Sequence, residues 1–406
     1  MHEGTRYSRN LHPQLRWILI VGPLMLACAA PASAADRKVR ALAEFEVAPD
    51  GDFLLLPLVI HEREYRFLVC TALARTIIDA ALAKELDLPA LEPRNGGAGQ
   101  EKKLFKLNAR LGSNSLDFAE GVEAGDYAAM REGLALDFHG ELGMDVLRNQ
   151  IVQIDFDEGV LRFLPLVPPA SGEAIRILQP GQEYAVPIVQ LLVPGEKPQK
   201  FFVSTARAGN SLDIDNRFLA TLEENEKAAV LTKETGVARS GTRSFDTVRV
   251  EAIQIGSFRH EGIIGNSGEG NCVGLSYLSR YLVTFDFPKG KMYLKKGARY
   301  DAPDVRLNLA HMTVERDNRG VVLKTVPAHG AAAQLGLVAG DKLESLNGRR
   351  AQRISTWQIR RVLGRTDLPL AAEVTRNGKL VSLKCDPLAA EEPAKNGSPK
   401  TDRTED

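Results

Sequence analysis

Residues Phe67-Leu68-Val69-Cys70-Thr71-Ala72 return 134 positions later as Phe201-Phe202-Val203-Ser204-Thr205-Ala206, and the same displacement lays Asp79 on Asp213. A displacement of 131 lays Gly143, Leu147, Val152, Asp155, Phe156 and Gly159 on Gly274, Leu278, Val283, Asp286, Phe287 and Gly290. Ordered matches at both ends of a unit, with offsets only three apart, indicate a duplicated unit whose loops have gained or lost a few residues. From residue 40 onward the apolar runs are short: Phe53 to Ile60, Tyr65 to Val69, Gln150 to Phe156 and Val160 to Leu164, each bounded by Gly, Asp or Pro. Such runs predict a mainly β region of two lobes, at 40–167 and 172–297, joined by the Pro-rich Val167 to Gly172. Two brief helices are expected, Asp79 to Leu86 and Asp215 to Leu222, and Asp79 and Asp213 are expected to cap helices.

A strand running into x-Thr-Ala, an apolar-Asp pair before a helix, and a later apolar-Gly step leading to Asp-Phe resemble the retropepsin-like aspartic peptidases. The first lobe carries this in Val69-Cys70-Thr71-Ala72, Ile77-Ile78-Asp79, Leu142-Gly143 and Ile154-Asp155-Phe156. The second carries it in Val203-Ser204-Thr205-Ala206, Leu212-Asp213, Val273-Gly274 and Phe285-Asp286-Phe287. The resemblance implies an acid-protease fold, and a catalytic pair of aspartates where this chain has Cys70 and Ser204. That chemistry needs two carboxylates sharing one proton. A thiol titrates near 8.5 and an alcohol far higher, so neither activates water as a carboxylate does. Ala72 and Ala206 replace the glycines of the pattern. Thr71 and Thr205 remain, and the resemblance implies that their hydroxyls brace the lobes. No catalytic residue is therefore expected at Cys70, Thr71, Ala72, Ser204, Thr205 or Ala206. Two alternatives stay open: Cys70 as a nucleophile with His139 as its base, and aspartic catalysis from other carboxylates such as Asp79 and Asp213.

After Pro303 the pattern changes. Val321 to Val326 reads as a strand, Ala331-Ala332-Ala333-Gln334-Leu335-Gly336-Leu337 as a short helix closed by glycine, Gly340-Asp341 as a turn and Asn347-Gly348 as a hairpin. Ser355 or Thr356 caps an amphipathic helix to Leu363. Residues 303–388 resemble a PDZ domain of bacterial periplasmic proteases. That resemblance implies capture of an extended peptide by strand addition, with the carboxylate loop at Ala310-His311-Met312 and a helical wall of Ile359, Val362 and Leu363. Family members carry Gly where His311 stands. From Asp301 to Asp386 there are 14 Lys+Arg against 9 Asp+Glu, which reads either as a solvated face or as a match for an acidic peptide.

The remaining features set limits. The 406 residues have 52 Lys+Arg, 52 Asp+Glu and 44% hydrophobic content. That balance excludes a disordered chain and lacks the basic footprint of a nucleic-acid binder. Four Cys and seven His form neither a disulfide framework nor a zinc pattern, and no cofactor or metal is expected. The three cysteines after the leader leave at least one thiol unpaired and leave a Cys70–Cys272 bridge open. Residues 1–34 read as a signal peptide, basic at Arg6, Arg9 and Arg16, apolar from Trp17 to Ala30, and ending Ala32-Ser33-Ala34. An uncleaved membrane anchor, interrupted by Pro23 and Pro31 and short for a bilayer, and lipidation at Cys28 are the alternatives, and no membrane span is expected after cleavage. Residues 389–406 read as a disordered tail. The expected protein is a secreted or periplasmic pseudoprotease that binds peptides or proteins. An aspartic endopeptidase recruiting substrate through its PDZ domain is the alternative.

Overall fold

The computed structural model describes residues 39–387 except 49–51, 96–100, 117, 119, 135, 179–185, 239–240, 305–311, 318–319, 327, 329–330, 355 and 366–368. The expected signal peptide at 1–34, Ala310, His311 and the expected tail at 389–406 therefore lie outside the described residues. The chain is mainly β, and the strands of the described residues gather into four sheets. Among the described residues no helix is long and apolar enough to cross a membrane.

The duplication is written into the strand pairing. In the first repeat Gly140–Leu142 lies parallel to Arg63–Val69 and antiparallel to Ile77–Asp79, which runs parallel to Val122–Gly125. In the second, Cys272–Val273 lies parallel to Gln199–Val203 and antiparallel to Leu212–Asp215, which runs parallel to Phe258–Gly268. Each repeat thus threads one short strand between two others, and each places the end of its Cys-Thr-Ala or Ser-Thr-Ala strand at the same point.

A six-stranded sheet takes three strands from each copy. At its centre Ile151–Asp155 runs antiparallel to Tyr281–Asp286, with Gln153 opposite Thr284. Those two residues differ by the repeat displacement of 131, so the pseudo-twofold axis passes between them. There the Gln153 amide donates to Thr284 Oγ1 at 3.1 Å. One apolar core runs through both repeats and this shared sheet, including Leu56, Leu58, Phe67, Phe201, Val283 and Phe285. The alternation along Leu54, Leu56, Leu58 and Ile60, all buried, is what lets one face of a strand feed that core.

Two features differ from the sequence expectation. The loop from Thr205 to Asp213 spans eight residues, where its counterpart from Thr71 to Ile77 spans six. Glu141 faces both Leu68 and Ile77, and Cys272 faces both Phe202 and Asp213. Ile77 therefore corresponds to Asp213, and Asp79 to Asp215, each standing just before a helix: Ala80–Glu85 and Asn216–Glu224. Helices beyond the expected two also occur among the described residues: Ala128–Leu134 in the first repeat, and the one-turn Met144–Leu147 and Leu275–Leu278 that follow Gly143 and Gly274.

The C-terminal module has its own sheet and its own core, including Met312, Val321, Leu343, Ile359, Leu363 and Val374. Its Gly340-Asp341 turn is locked by Arg376, whose Nε and Nη2 donate to the two Asp341 oxygens at 2.7 and 2.8 Å.

Candidate functional site

The seam between the repeats is built by two threonines. Thr71 Oγ1 donates to the Val203 carbonyl at 2.6 Å and accepts from the Thr205 amide at 3.2 Å. In mirror fashion Thr205 Oγ1 donates to the Val69 carbonyl at 2.7 Å and accepts from the Thr71 amide at 3.1 Å. Four buried backbone groups at the meeting of two chain segments would otherwise lack partners, and each hydroxyl satisfies two of them. The bracing role expected of Thr71 and Thr205 is what this geometry performs.

Cys70 and Ser204 precede these threonines and are bound alike: the Cys70 amide donates to Leu142 O and the Ser204 amide to Val273 O, both at 2.9 Å. Their residual exposures are 4% and 3%. The methyl groups of Ala72 and Ala206 are accommodated, both residues being half-buried. Gly143 and Gly274 remain glycine because a Cβ would meet backbone atoms of Arg75 at 2.5 Å in one repeat and of Asn210 at 2.6 Å in the other. Those contacts press each apolar-Gly step onto the loop that follows its threonine. The Asp145 carboxylate fastens the first loop, accepting from the Thr76 amide and hydroxyl at 2.9 and 2.8 Å. Burial raises its pKa despite those bonds.

The other carboxylates near the seam are committed elsewhere. Asp79 occupies a cap position but makes no side-chain cap bond, because its Oδ2 pairs with Arg131 at 2.7 Å. Asp213 caps nothing: it accepts from Asn210 Nδ2 at 2.8 Å and pairs with Arg207 Nε at 2.9 Å. The helix cap is Asp215, which accepts from the Arg217 and Phe218 amides. Glu141 accepts from the Tyr127 hydroxyl at 2.8 Å.

The sulfur chemistry is equally quiet. Cys70, Cys272 and Cys385 are all free thiols, so no Cys70–Cys272 bridge forms. Burial, followed by the Asp213 charge, pushes the Cys272 thiol up to about 12. His139 donates its backbone amide to Arg66 O and packs edge-on against Tyr65. Arg66 lies four residues before Cys70, about 13 Å along an extended strand. A base at that distance does not reach the thiol, and the Cys70–His139 alternative loses its geometry. Among the described residues no group of three or more His, Cys, Asp or Glu gathers to hold a metal.

The two walls flanking the seam differ. Leu68 and Phe202 are equivalent by pairing, yet Leu68 has no exposure and Phe202 has 42%. Leu68 is covered by a small second core of Phe53, Ile77, Tyr127, Leu134, Leu136 and Phe138. The uncounted helix Ala128–Leu134 carries part of this cover, and the second-repeat strand Ala228–Ala238 packs against it. Tyr127, Met130 and Leu134 at helical spacing were the sequence signal that could have found it.

In the C-terminal module the strand Thr313–Asp317 is an edge of the sheet, paired with Gly320–Thr325, and the helix Thr356–Leu363 packs beside it. Met312 of the expected carboxylate loop and Ile359 and Leu363 of the expected helical wall are buried in the module's core, and Val362 of that wall is half-buried against it. No protein-family model matches the chain, and no curated protein matches it.

Proposed function

We propose that this chain is an exported, catalytically inert relative of the retropepsin-like peptidases, carrying a PDZ-like module and binding peptides or proteins. One observation carries the reading. At the point where the threonine hydroxyls lock the repeats together, the two side chains that would need to be carboxylates are a buried thiol and a buried hydroxyl. An acid pair sharing one proton cannot be assembled from them. Binding is supported by an edge strand, Thr313–Asp317, flanked by a helix, the arrangement to which an extended peptide adds as a further strand. Strand addition uses main-chain groups, so it does not depend on the side chains that the core has claimed.

A peptide array probed with the full-length protein tests this, with every sequence printed once with a free C-terminal carboxylate and once amidated. The reading predicts a recurring motif retained by both forms. Absence of any peptide above background would sink it.

A further inference from the structure

The helix Thr356–Leu363 is buried on two opposite sides. Ile359 and Leu363 face the module's core. Arg361 stands two residues from Ile359, about 200° around the helix, and Arg365 stands likewise from Leu363. The Gly364 amide bonded to Arg360 O carries the helical turn onward. An arginine stripe on the far face of a small module should be solvated, yet Arg361 and Arg365 are both buried.

A carboxylate facing Arg361 belongs to the first repeat. Asp52 Oδ1 lies 3.8 Å from Arg361 Nη1, and each side chain keeps only 8% exposure. The same oxygen accepts from the Phe53 amide at 2.7 Å. Phe53 in turn is a member of the small core that covers Leu68, two residues before Cys70. One carboxylate oxygen therefore connects the helix beside the edge strand to the cover over one wall of the seam. At 3.8 Å the link is charge attraction rather than a direct hydrogen bond, and in a buried setting that attraction is poorly screened.

We propose that Arg361 and Asp52 form an intramolecular latch that docks the C-terminal module on the first repeat and holds the Asp52–Phe53 segment over the first-repeat wall. The latch stands independently of what the edge strand or the seam binds. Anything that moves the helix Thr356–Leu363 away from the first repeat weakens the hold on Phe53, and loosening the cover weakens the docking in return.

The test is backbone hydrogen exchange on the full-length protein in a double-mutant cycle of Arg361→Glu, Asp52→Asn and both together. Asparagine keeps an oxygen for the Phe53 amide while removing the charge. Arg361→Glu should raise exchange at Phe53, Leu68 and residues 127–138 on the order of tenfold. In the Asp52→Asn background the same substitution should raise it less than about threefold, because the carboxylate it repels is gone. Arg361→Gln provides a milder variant should the glutamate protein not fold, and should raise exchange in the same segments. Unchanged exchange in a folded Arg361 variant overturns the latch. So does an equal rise in both Asp52 backgrounds.

Discussion

Replacing Thr71 by valine removes one hydroxyl at constant shape and leaves the packing of the seam untouched. Two hydrogen bonds disappear, Thr71 Oγ1 to Val203 O and the Thr205 amide to Thr71 Oγ1. A net bond is worth about 1 kcal/mol, and a buried group left without its partner costs about 1–3 kcal/mol, so Thr71→Val should cost about 2–4 kcal/mol. Thr205→Val removes the other two bonds, to Val69 O and from the Thr71 amide, and shares none with the first. The pseudo-twofold axis requires the two substitutions to cost the same within about 1 kcal/mol, and distinct bonds in one network allow only moderate coupling in the double variant. Urea unfolding followed through tyrosine isolates the effect. Every tyrosine beyond residue 34 lies before residue 303, while the one tryptophan beyond residue 34, Trp357, lies in the C-terminal module. A loss below about 0.5 kcal/mol for either variant, the ordinary scatter of surface substitutions, would refute the account of the seam.

Further outcomes follow from other parts of the structure. Gly143→Ala and Gly274→Ala should each destabilise the repeats by about 1–3 kcal/mol through backbone overlap, whereas Gly270→Ala, with nothing within 4 Å of its added methyl, should be neutral in the same urea titration. Burial, then the Arg280 charge, lowers the His260 pKa to about 4. The unfolded chain therefore takes up a proton near pH 6.5 that the folded chain refuses. Stability should be full above that pH and fall by up to about 3 kcal/mol toward pH 4. Unfolding midpoints across that range should slope in the native protein and flatten in His260→Gln. Burial alone would raise the Asp341 carboxyl, but the Arg376 fork and the Val338 amide outweigh it and hold the carboxyl below its usual range. The C-terminal module should accordingly lose stability as pH falls through the carboxylate range. Arg376→Met, which leaves a buried carboxylate without its cation, should cost about 2–4 kcal/mol, read by Trp357 fluorescence.

The duplication was legible in the sequence because a repeated fold constrains the same few positions in both copies. Gly143 and Gly274 survive where backbone approaches backbone, Thr71 and Thr205 where four amide and carbonyl groups need partners. Strands were legible as apolar alternation. The displacement of Asp79 was read two residues short, since matching Asp to Asp within a loop cannot reveal an insertion; only the register opposite Glu141 and Cys272 places Asp215 as its counterpart. Ile359, Val362 and Leu363 read as the wall of a groove because an amphipathic helix declares one apolar face, and sequence does not say whether that face meets a ligand or the module's own core. The latch was invisible for a different reason. Asp52 and Arg361 are over three hundred residues apart, and their meeting depends on how two separately encoded modules dock.

Cys70 and Ser204, not an acid pair, stand at the seam, and the proposed inertness rests on them. Incubating the full-length protein with unfolded casein from pH 3 to 8 and counting new peptide N-termini by mass spectrometry tests it directly. An inert seam gives the same count as buffer alone at every pH. Cleavage that rises with protein concentration, and that disappears in Cys70→Ala or persists when Cys70 and Ser204 are both alanine, would contradict it.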